Sequence, residues 1–403
     1  MKMSSMSIIV LLLFFNCSSD VDVKTAEMEL PLTDVLTLEL TFGAENIQDE
    51  YLIANPIGIA VNSEDDIFVT DEHRIKVFDK YGKEKRIIGR KGQGPGEFQL
   101  QYMSKPLISP NGFLSVKDKK GINVFLPDFK YFETVKMLNN AKYDNILTKN
   151  AFRSINVVRG LYLNKSTKIL EGSAFVEEVK DLYPRYNLLL FEDESMVYEI
   201  TKYNSIEEMH VGPIVAGFPF RGKLYWNIVN GDRIVFTHPF HDSVSDNTGS
   251  TYKLNIFSFK DLNKTQISHH YDKVQLPDSL KNIYKESLEN IKAMPVLNEN
   301  MKNMVKVMEL QLKNELDEMQ FYAPLQALLT DRNYIFAVTY YQNENDAYLV
   351  DVFDSTAGEY VNSDFFQIIP SVIRNGFAYR FGKNKDGFFV VEKYRINPAV
   401  YGK

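Results

Sequence analysis

The chain has 403 residues, and 44% of them are hydrophobic, which is enough material for a sizeable core. Its formal net charge of −7 at pH 7 argues against nucleic acid or an anionic membrane surface as the main partner. Aromatic residues make up 13% of the chain and are mostly Phe and Tyr, which suit strands better than helices. The composition therefore favours a globular domain rich in β-structure.

The first residues have the pattern of a secretory leader. Lys2 precedes a short apolar segment from Ile8 to Phe15, which is too short to span a bilayer as a helix. The segment ends just before Cys17, the only cysteine of the chain, and this position predicts a lipid anchor on Cys17. Asn16 stands where small residues are usual, so an ordinary leader cleaved elsewhere is the alternative interpretation.

These features define the predicted organisation of the chain. Residues 1–16 form a signal peptide, residues 17–33 a tether, and residues 34–403 one folded domain in the cell envelope, on its periplasmic or outer-membrane face. Once Cys17 carries lipid, the folded domain has no cysteine for a disulfide or a thiolate metal site. Its stability must therefore come from its hydrophobic core.

The folded domain begins with a run of short strands. Polar and apolar residues alternate from Val35 to Phe42, which predicts a strand standing apart from those that follow. Four more strands are predicted in the next stretch, which makes one blade of a β-propeller: Ile57–Val61, Asp66–Thr70, Arg74–Phe78 and Lys83–Ile88. A propeller must close its ring, and we expect the strand from Val35 to Phe42 to complete the last blade.

Two motifs of this first unit resemble a known family. The segment from Gly58 to Lys83 resembles an NHL repeat, and Gly89–Phe98 is similar to a loop of the six-bladed β-propeller lipoproteins abundant in Bacteroidetes. The detailed resemblance covers Pro56 to Phe98. It implies the architecture of that family, and it implies no reaction.

A phenylalanine at the end of a predicted strand recurs along the chain. Phe125 ends a strand in the same way as Phe78, 47 residues earlier, which is the length of one blade. Similar strands end at Phe191, Phe257 and Phe353, at longer spacings of 66, 66 and 96 residues that predict insertions. With a last unit from Gly376 to Ile396, the chain is predicted to be all-β, a six-bladed β-propeller of four-stranded antiparallel blades. A seventh blade is the alternative.

One segment interrupts the β pattern. Residues 279–320 are rich in helix formers, with apolar residues at spacings of three and four, and Pro295 divides the segment into two helices. We expect a helical insertion that packs over one end of the ring. The alternative is a lid or a partner-docking element, since its methionines could adapt to varied ligands.

Several residues are candidates for ligand binding. In the segment Gly89–Glu97, glycine N–H groups lie beside two cations and an amide, which could hold an anion, although blade crossings need such flexible turns anyway. His238 and His241 could bring two imidazoles together, and the only tryptophan could stack on a sugar ring or a peptide side chain. The predicted ligand-binding residues are Arg90, Lys91, Gln93, Trp226, His238 and His241.

The sequence favours binding over catalysis. No spacing of histidines and acids indicates a zinc site, no nucleophile elbow is present, and we expect no cofactor. We therefore expect an envelope-anchored propeller that binds a glycan, a peptide or a partner protein and meets the membrane only through its lipid. The alternatives are a propeller enzyme of the lactonase, lyase or hydrolase type and a scaffold subunit of an outer-membrane assembly.

Overall fold

A computed structural model describes most of the predicted domain. The described residues are 35–45, 47–99, 103–176, 185–205, 208–211, 214–217, 221–247, 249–293, selected positions between 302 and 318, and 319–402. The predicted signal peptide, Cys17 and the tether lie outside these residues. None of the helices in the described ranges is long and apolar enough to cross a membrane.

The described part begins with β1 (Leu36–Phe42), and six antiparallel sheets follow, which we call blades 1 to 6. Blade 1 contains β2 (Pro56–Val61), β3 (Ile67–Asp71), β4 (Arg74–Phe78) and β5 (Glu84–Ile88). Blade 2 contains β6 (Leu107–Ile108), β7 (Leu114–Asp118), β8 (Gly121–Phe125) and β9 (Tyr131–Val135). Blade 3 contains β10 (Met137–Leu138), β11 (Phe152–Tyr162), β12 (Lys168–Val176), β13 (Arg185–Glu192) and β14 (Val197–Asn204), and α1 (Asp144–Asn150) precedes β11.

A hairpin of β15 (Glu208–Val211) and β16 (Ile214–Gly217) leads to blade 4. Blade 4 contains β17 (Tyr225–Val229), β18 (Arg233–Thr237), β19 (Ser243–Asp246), β20 (Gly249–Ser258) and β21 (Lys264–His270), and α2 (Asp278–Lys292) follows it. Blade 5 contains β22 (Leu325–Asp331), β23 (Tyr334–Gln342), β24 (Tyr348–Asp354) and β25 (Glu359–Phe366). Blade 6 contains β26 (Val372–Arg374), β27 (Phe377–Lys383) and β28 (Phe389–Ile396). Short 3₁₀ turns lie at Asp49–Tyr51, Ala141–Tyr143 and Pro398–Tyr401.

The first strand closes the ring. β1 pairs antiparallel with β28, so that Leu36 lies opposite Ile396 and Phe42 opposite Val391. The two ends of the domain therefore share blade 6. The predicted closing strand is confirmed.

The recurring phenylalanines occupy one position in the fold. Each of the five predicted strand ends belongs to the third strand of its blade, and each of these side chains is buried: Phe78, Phe125, Phe191, Phe257 and Phe353. Because the third strand packs against the neighbouring blade, the repeat in the sequence marks the contacts between blades. Blade 1 has the four strands that the sequence predicts, whereas blades 3 and 4 each have an extra short strand.

The core is divided among the contacts between blades. Six hydrophobic clusters join blades 1 and 2, 2 and 3, 3 and 4, 4 and 5, 5 and 6, and 6 and 1. In the last of these, Phe78 of blade 1 packs with Tyr379 and Val391 of blade 6. A continuous series of such contacts confirms the six-bladed ring.

The ring has two different faces. The first strands of neighbouring blades contact one another, so they line a central channel. Because the strands alternate in direction, the crossings between blades and the turns from second to third strands share one face, which we call the entrance face. The turns from first to second and from third to fourth strands lie on the opposite face, which we call the turn face.

The entrance face carries the long insertions. The Gly-rich segment follows β5, α1 lies between β10 and β11 at the start of blade 3, and the β15–β16 hairpin lies between blades 3 and 4. The predicted helical insertion is confirmed in part: α2 spans Asp278–Lys292, and described positions between 302 and 316 are helical. Pro295 lies outside the described residues, and neither α1 nor the hairpin was predicted.

Candidate ligand-binding site in the central channel

Lys105 occupies the centre of the candidate site. It lies on the crossing from blade 1 to blade 2, and its Nζ donates to the backbone oxygen of Ser371 on the crossing from blade 5 to blade 6. Its backbone passes so close to Gly58 on β2 that a Cβ added to this glycine would lie 2.5 Å from the Lys105 Cα. A glycine at position 58 therefore lets Lys105 reach into the channel.

The surroundings of Lys105 disfavour its charge. Its side chain keeps accessible surface because it faces the channel, but protein encloses it, and this desolvation lowers its pKa to about 8. The positive charges of Arg159 and Lys223 make smaller contributions to this lowered pKa. Three cations from three different parts of the chain thus meet inside the ring.

Arg159 is held in place by two neighbours. Its Nε lies 2.5 Å from the Glu171 carboxylate on the adjacent strand, and its guanidinium lies over the Trp226 ring, 4.8 Å from the ring centroid. The Trp226 Nε1 donates to the same Glu171 oxygen at 2.7 Å. Glu171 therefore fixes both side chains. Trp226, predicted as a stacking residue, is buried and supports the guanidinium.

Four tyrosines lead from the channel to the helical insertion. Tyr225 begins β17, and burial raises its pKa, with a further contribution from Tyr340. The ring of Tyr340 stacks on Tyr322 at a centroid distance of 4.2 Å and an angle of 11°. Burial, and to a smaller extent Tyr322 and then Tyr284 on α2, raise the pKa of Tyr340 to about 12. The insertion thus borders the channel through Tyr284.

We call Lys105, Arg159, Glu171, Lys223, Tyr225 and Trp226 the channel cluster. Its charged side chains comprise three cations and one carboxylate, so it keeps a net positive charge in a protein that is acidic as a whole. Lys117 adds a fourth cation nearby: burial lowers its pKa, and Glu171 opposes that shift. The arrangement is suited to a negatively charged ligand.

The predicted Gly-rich segment carries its own anion. Glu97 accepts from the backbone N–H of Gly94 at 2.8 Å and from the Arg90 Nε at 2.8 Å. Both hydrogen bonds lower the pKa of Glu97, and the one from Gly94 has the larger effect. Arg90, Lys91 and Gln93 are exposed on the entrance face, and their role in ligand binding stays a prediction.

The predicted pair His238 and His241 does come together. Their rings lie 4.5 Å apart edge to face, with His238 fully buried and His241 exposed. The His241 Nε2 donates to the Asn204 carbonyl at 2.9 Å, and Asp242 accepts from the Tyr203 hydroxyl at 2.7 Å. These contacts join blade 3 to blade 4. Within the described ranges, no three His, Cys, Asp or Glu side chains are grouped so that they could hold a metal ion.

A cavity of about 390 Å³ lies on the turn face between blades 1 and 2. Its polar side chains bond to one another or to backbone: Lys85 lies 2.7 Å from Asp66, and Arg86 donates to the Asp128 carbonyl at 3.3 Å. The charged side chains that line this cavity, Glu64, Asp66, Lys85 and Arg86, balance one another. The channel cluster keeps a net positive charge, so it is the better candidate for recognition of an anionic ligand.

The channel cluster was not predicted, because its members are far apart in the sequence. Lys105, Arg159 and Lys223 are separated by 54 and 64 residues. One signal was present: Lys105 and Lys223 each stand two residues before the first strand of their blade, at Leu107 and Tyr225. An alignment of the blades on their first strands would have placed both lysines at the same end of the channel.

Comparison with known families agrees with the fold. Residues 18–136 match a family described as "6-bladed beta-propeller". The matched segment contains β1 and the strands of blades 1 and 2. The chain is a six-bladed β-propeller. No curated protein matches it at a significant level.

Solved structures with similar folds have low sequence identity. A gluconolactonase from Xanthomonas campestris is 9% identical, with 86% of this chain and 87% of that chain covered and a TM-score of 0.37. The calcium-binding protein regucalcin from Agrobacterium tumefaciens is 7% identical, with 86% and 92% covered and a TM-score of 0.35. The β-propeller domain of the Trilobed protease from Pyrococcus furiosus is 11% identical, with 82% and 79% covered and a TM-score of 0.32. Values this low carry no argument about the function of this chain.

Proposed function

We propose that the chain is an envelope-anchored binding module that holds a carboxylate-bearing ligand, an acidic sugar or an acidic peptide, in the central channel. The observation that carries this proposal is that Arg159 lies over Trp226, Lys223 lies over the adjacent Tyr225, and the positive charges of both act on Lys105. The protein is acidic as a whole, so this positive region does not follow from a generally basic surface.

The cluster is prepared for an anion before the ligand arrives. Glu171 and Trp226 hold Arg159 in one orientation, so little side-chain freedom is lost when an anion binds to it. In the free protein, Lys105 is desolvated and is repelled by the positive charges of Arg159 and Lys223. A bound carboxylate would offset both effects, and this favours binding.

Titration calorimetry with two acids and their neutral partners tests the proposal. We expect D-galacturonate or N-acetylglutamate to bind, and D-galactose and N-acetylglutamine to bind much more weakly. Lys105→Met should weaken binding of the acid by roughly ten- to hundredfold, the value of one charge-assisted contact.

Lys85→Met is the matched control. Lys85 also pairs with a carboxylate, Asp66, but on the turn face, so its loss should leave binding unchanged. Failure of both acids to bind, or equal binding by Lys105→Met and the unmodified chain, would overturn the proposal.

The lipid anchor is a separate part of the proposal and rests on the position of Cys17 directly after the apolar leader. We expect Cys17→Ala, expressed in a host that processes lipoproteins, to move from the membrane fraction to the soluble fraction. If this variant stays as firmly bound to membranes as the unmodified chain, the anchor is not at Cys17.

A further inference from the structure

A second cavity lies on the entrance face beside the helical insertion. Its volume is about 200 Å³, and it lies between the second half of blade 4 and the residues that return from the insertion. The base of the insertion is fixed there, since the Leu276 N–H donates to the Gln320 carbonyl at 2.8 Å and the Tyr322 N–H to the Val274 carbonyl at 2.9 Å. These hydrogen bonds fix the chain segments that line the cavity, so the cavity is part of the folded domain.

This cavity also combines cations with aromatic rings. Lys273 lies over the Phe321 ring at 5.2 Å, and the guanidinium of Arg221 lies over Phe240 at 5.9 Å. Both rings are partly exposed, with accessible fractions of 38% for Phe321 and 45% for Phe240. The cavity thus has a positive and partly apolar lining.

Hydroxyl groups form another wall of the cavity. Hydrogen bonds with Ser245, Ser243 and Ser250 act on the Tyr271 hydroxyl and lower its pKa, against the larger effect of burial, which raises it. Ser245 and Ser250 are themselves 3.0 Å apart. A wall of hydroxyls beside aromatic faces matches the hydroxyl groups and the C–H faces of a sugar better than it matches a peptide backbone.

Tyr322 connects this cavity to the channel cluster. It lines the cavity and stacks on Tyr340, and Tyr340 is near Tyr225. The ammonium of Lys223 lies 5.8 Å from the centre of the Tyr225 ring. Two cationic positions are therefore joined by a row of tyrosine side chains.

We infer that the ligand is a linear acidic oligosaccharide that spans both positions. One uronate carboxylate binds at the channel cluster, the next sugars lie along Tyr340 and Tyr322, and a second carboxylate reaches Lys273. This inference rests on the proposed function and adds the class of ligand and its second contact.

Calorimetry with D-galacturonate and trigalacturonate tests it. The trimer should bind at least about tenfold more tightly than the monomer, because its second carboxylate binds without a second loss of overall freedom. Lys273→Met should weaken the trimer by about tenfold and leave the monomer unchanged. This difference isolates the second position.

Lys264→Met is the matched control. Lys264 is the first residue of β21, and Lys273 follows the last residue of the same strand by three positions. Like Lys273, Lys264 lies over an aromatic ring, that of Phe236, at 5.4 Å. It lies on the turn face, so its loss should change neither affinity. Thermal unfolding of both variants checks that each is folded.

The outcomes separate the two proposals. If neither sugar nor N-acetylglutamate binds, the proposed function fails. If galacturonate binds but the trimer binds no more tightly and Lys273→Met has no effect, only the inference of a second contact fails. If triglutamate binds more tightly than trigalacturonate, the ligand is an acidic peptide and the saccharide assignment is wrong.

Discussion

The entrance face and the turn face are formed by opposite ends of the same strands, but they differ in how their polar groups are used. On the turn face, short turns from neighbouring blades bond to each other: Asp331 accepts from the backbone N–H groups of Asn375 at 2.6 Å and Gly376 at 2.9 Å. The entrance face carries the insertions and opens on the cations of the channel cluster. The turn face stabilises the ring, and the entrance face opens on a cluster with a net positive charge.

This comparison gives a rule that can be tested. Changes on the entrance face should alter ligand binding more than stability, and changes on the turn face should alter stability more than binding.

The largest effect is expected from the helical insertion. Replacing residues 279–318 by a short Gly/Ser linker keeps the Leu276–Gln320 hydrogen bond at its base but removes Tyr284 from the row of tyrosines. Trigalacturonate binding should weaken more than it does in Lys273→Met, while the β-sheet signal in circular dichroism stays. Unchanged affinity would show that the insertion only packs on the ring.

Asp331→Ala should be the most destabilising single change on the turn face. The Asp331 carboxylate is buried and also accepts from the Tyr401 hydroxyl at 2.9 Å, so its loss leaves three donors without their partner. We expect the free energy of unfolding in urea to fall by about 3 kcal/mol. Galacturonate affinity should not change, and a weaker affinity at full folding would contradict the division between faces.

The affinity for galacturonate should depend on pH. The pKa of Lys105 is lowered to about 8, so its amine is mostly charged at pH 7 and mostly neutral at pH 9. The ligand carboxyl, with a pKa of about 4, is ionised throughout this range. Affinity measured by calorimetry should therefore fall as pH rises from 7 to 9.

Lys105→Arg is the control for this pH dependence. A guanidinium stays protonated at pH 9, so the profile should become flat. A profile that still falls in this variant would assign the titration to another group.

The smallest effect is expected from Glu171→Gln. The substitution removes the only carboxylate of the channel cluster but keeps an oxygen that can accept from the Trp226 Nε1. Galacturonate should bind more tightly, by about 1 kcal/mol or about fivefold. Weaker binding would mean that Glu171 helps the ligand to bind by positioning Arg159, and that this effect outweighs the negative charge that Glu171 adds to the cluster.

The fold could be predicted because its signals are local and repeated. The alternating strands of blade 1 and the phenylalanine at the end of each third strand are visible within single segments. The seven-residue helix α1 was missed because Ile146 is its only buried residue, too few to give a periodic pattern.

The channel cluster could not be predicted by the same reasoning. Its cations come from distant segments, and only closure of the ring brings them together. The Gly-rich segment gave a clear local signal, yet its Glu97 bonds to Gly94 and Arg90 within the same segment. Local motifs therefore indicated how the blades connect. The arrangement of the blades was needed to locate the net positive charge of the channel cluster.

The closing strand also sets how an anchored molecule would be oriented. β1 starts at the turn face, where Leu36 lies opposite Ile396, and runs toward the entrance face. On the proposed lipid anchor, the chain between Cys17 and β1 spans at most about 60 Å and leaves from the turn face. The anchor would then hold the domain from its turn face, and the entrance of the channel would lie on the side of the ring opposite the attachment.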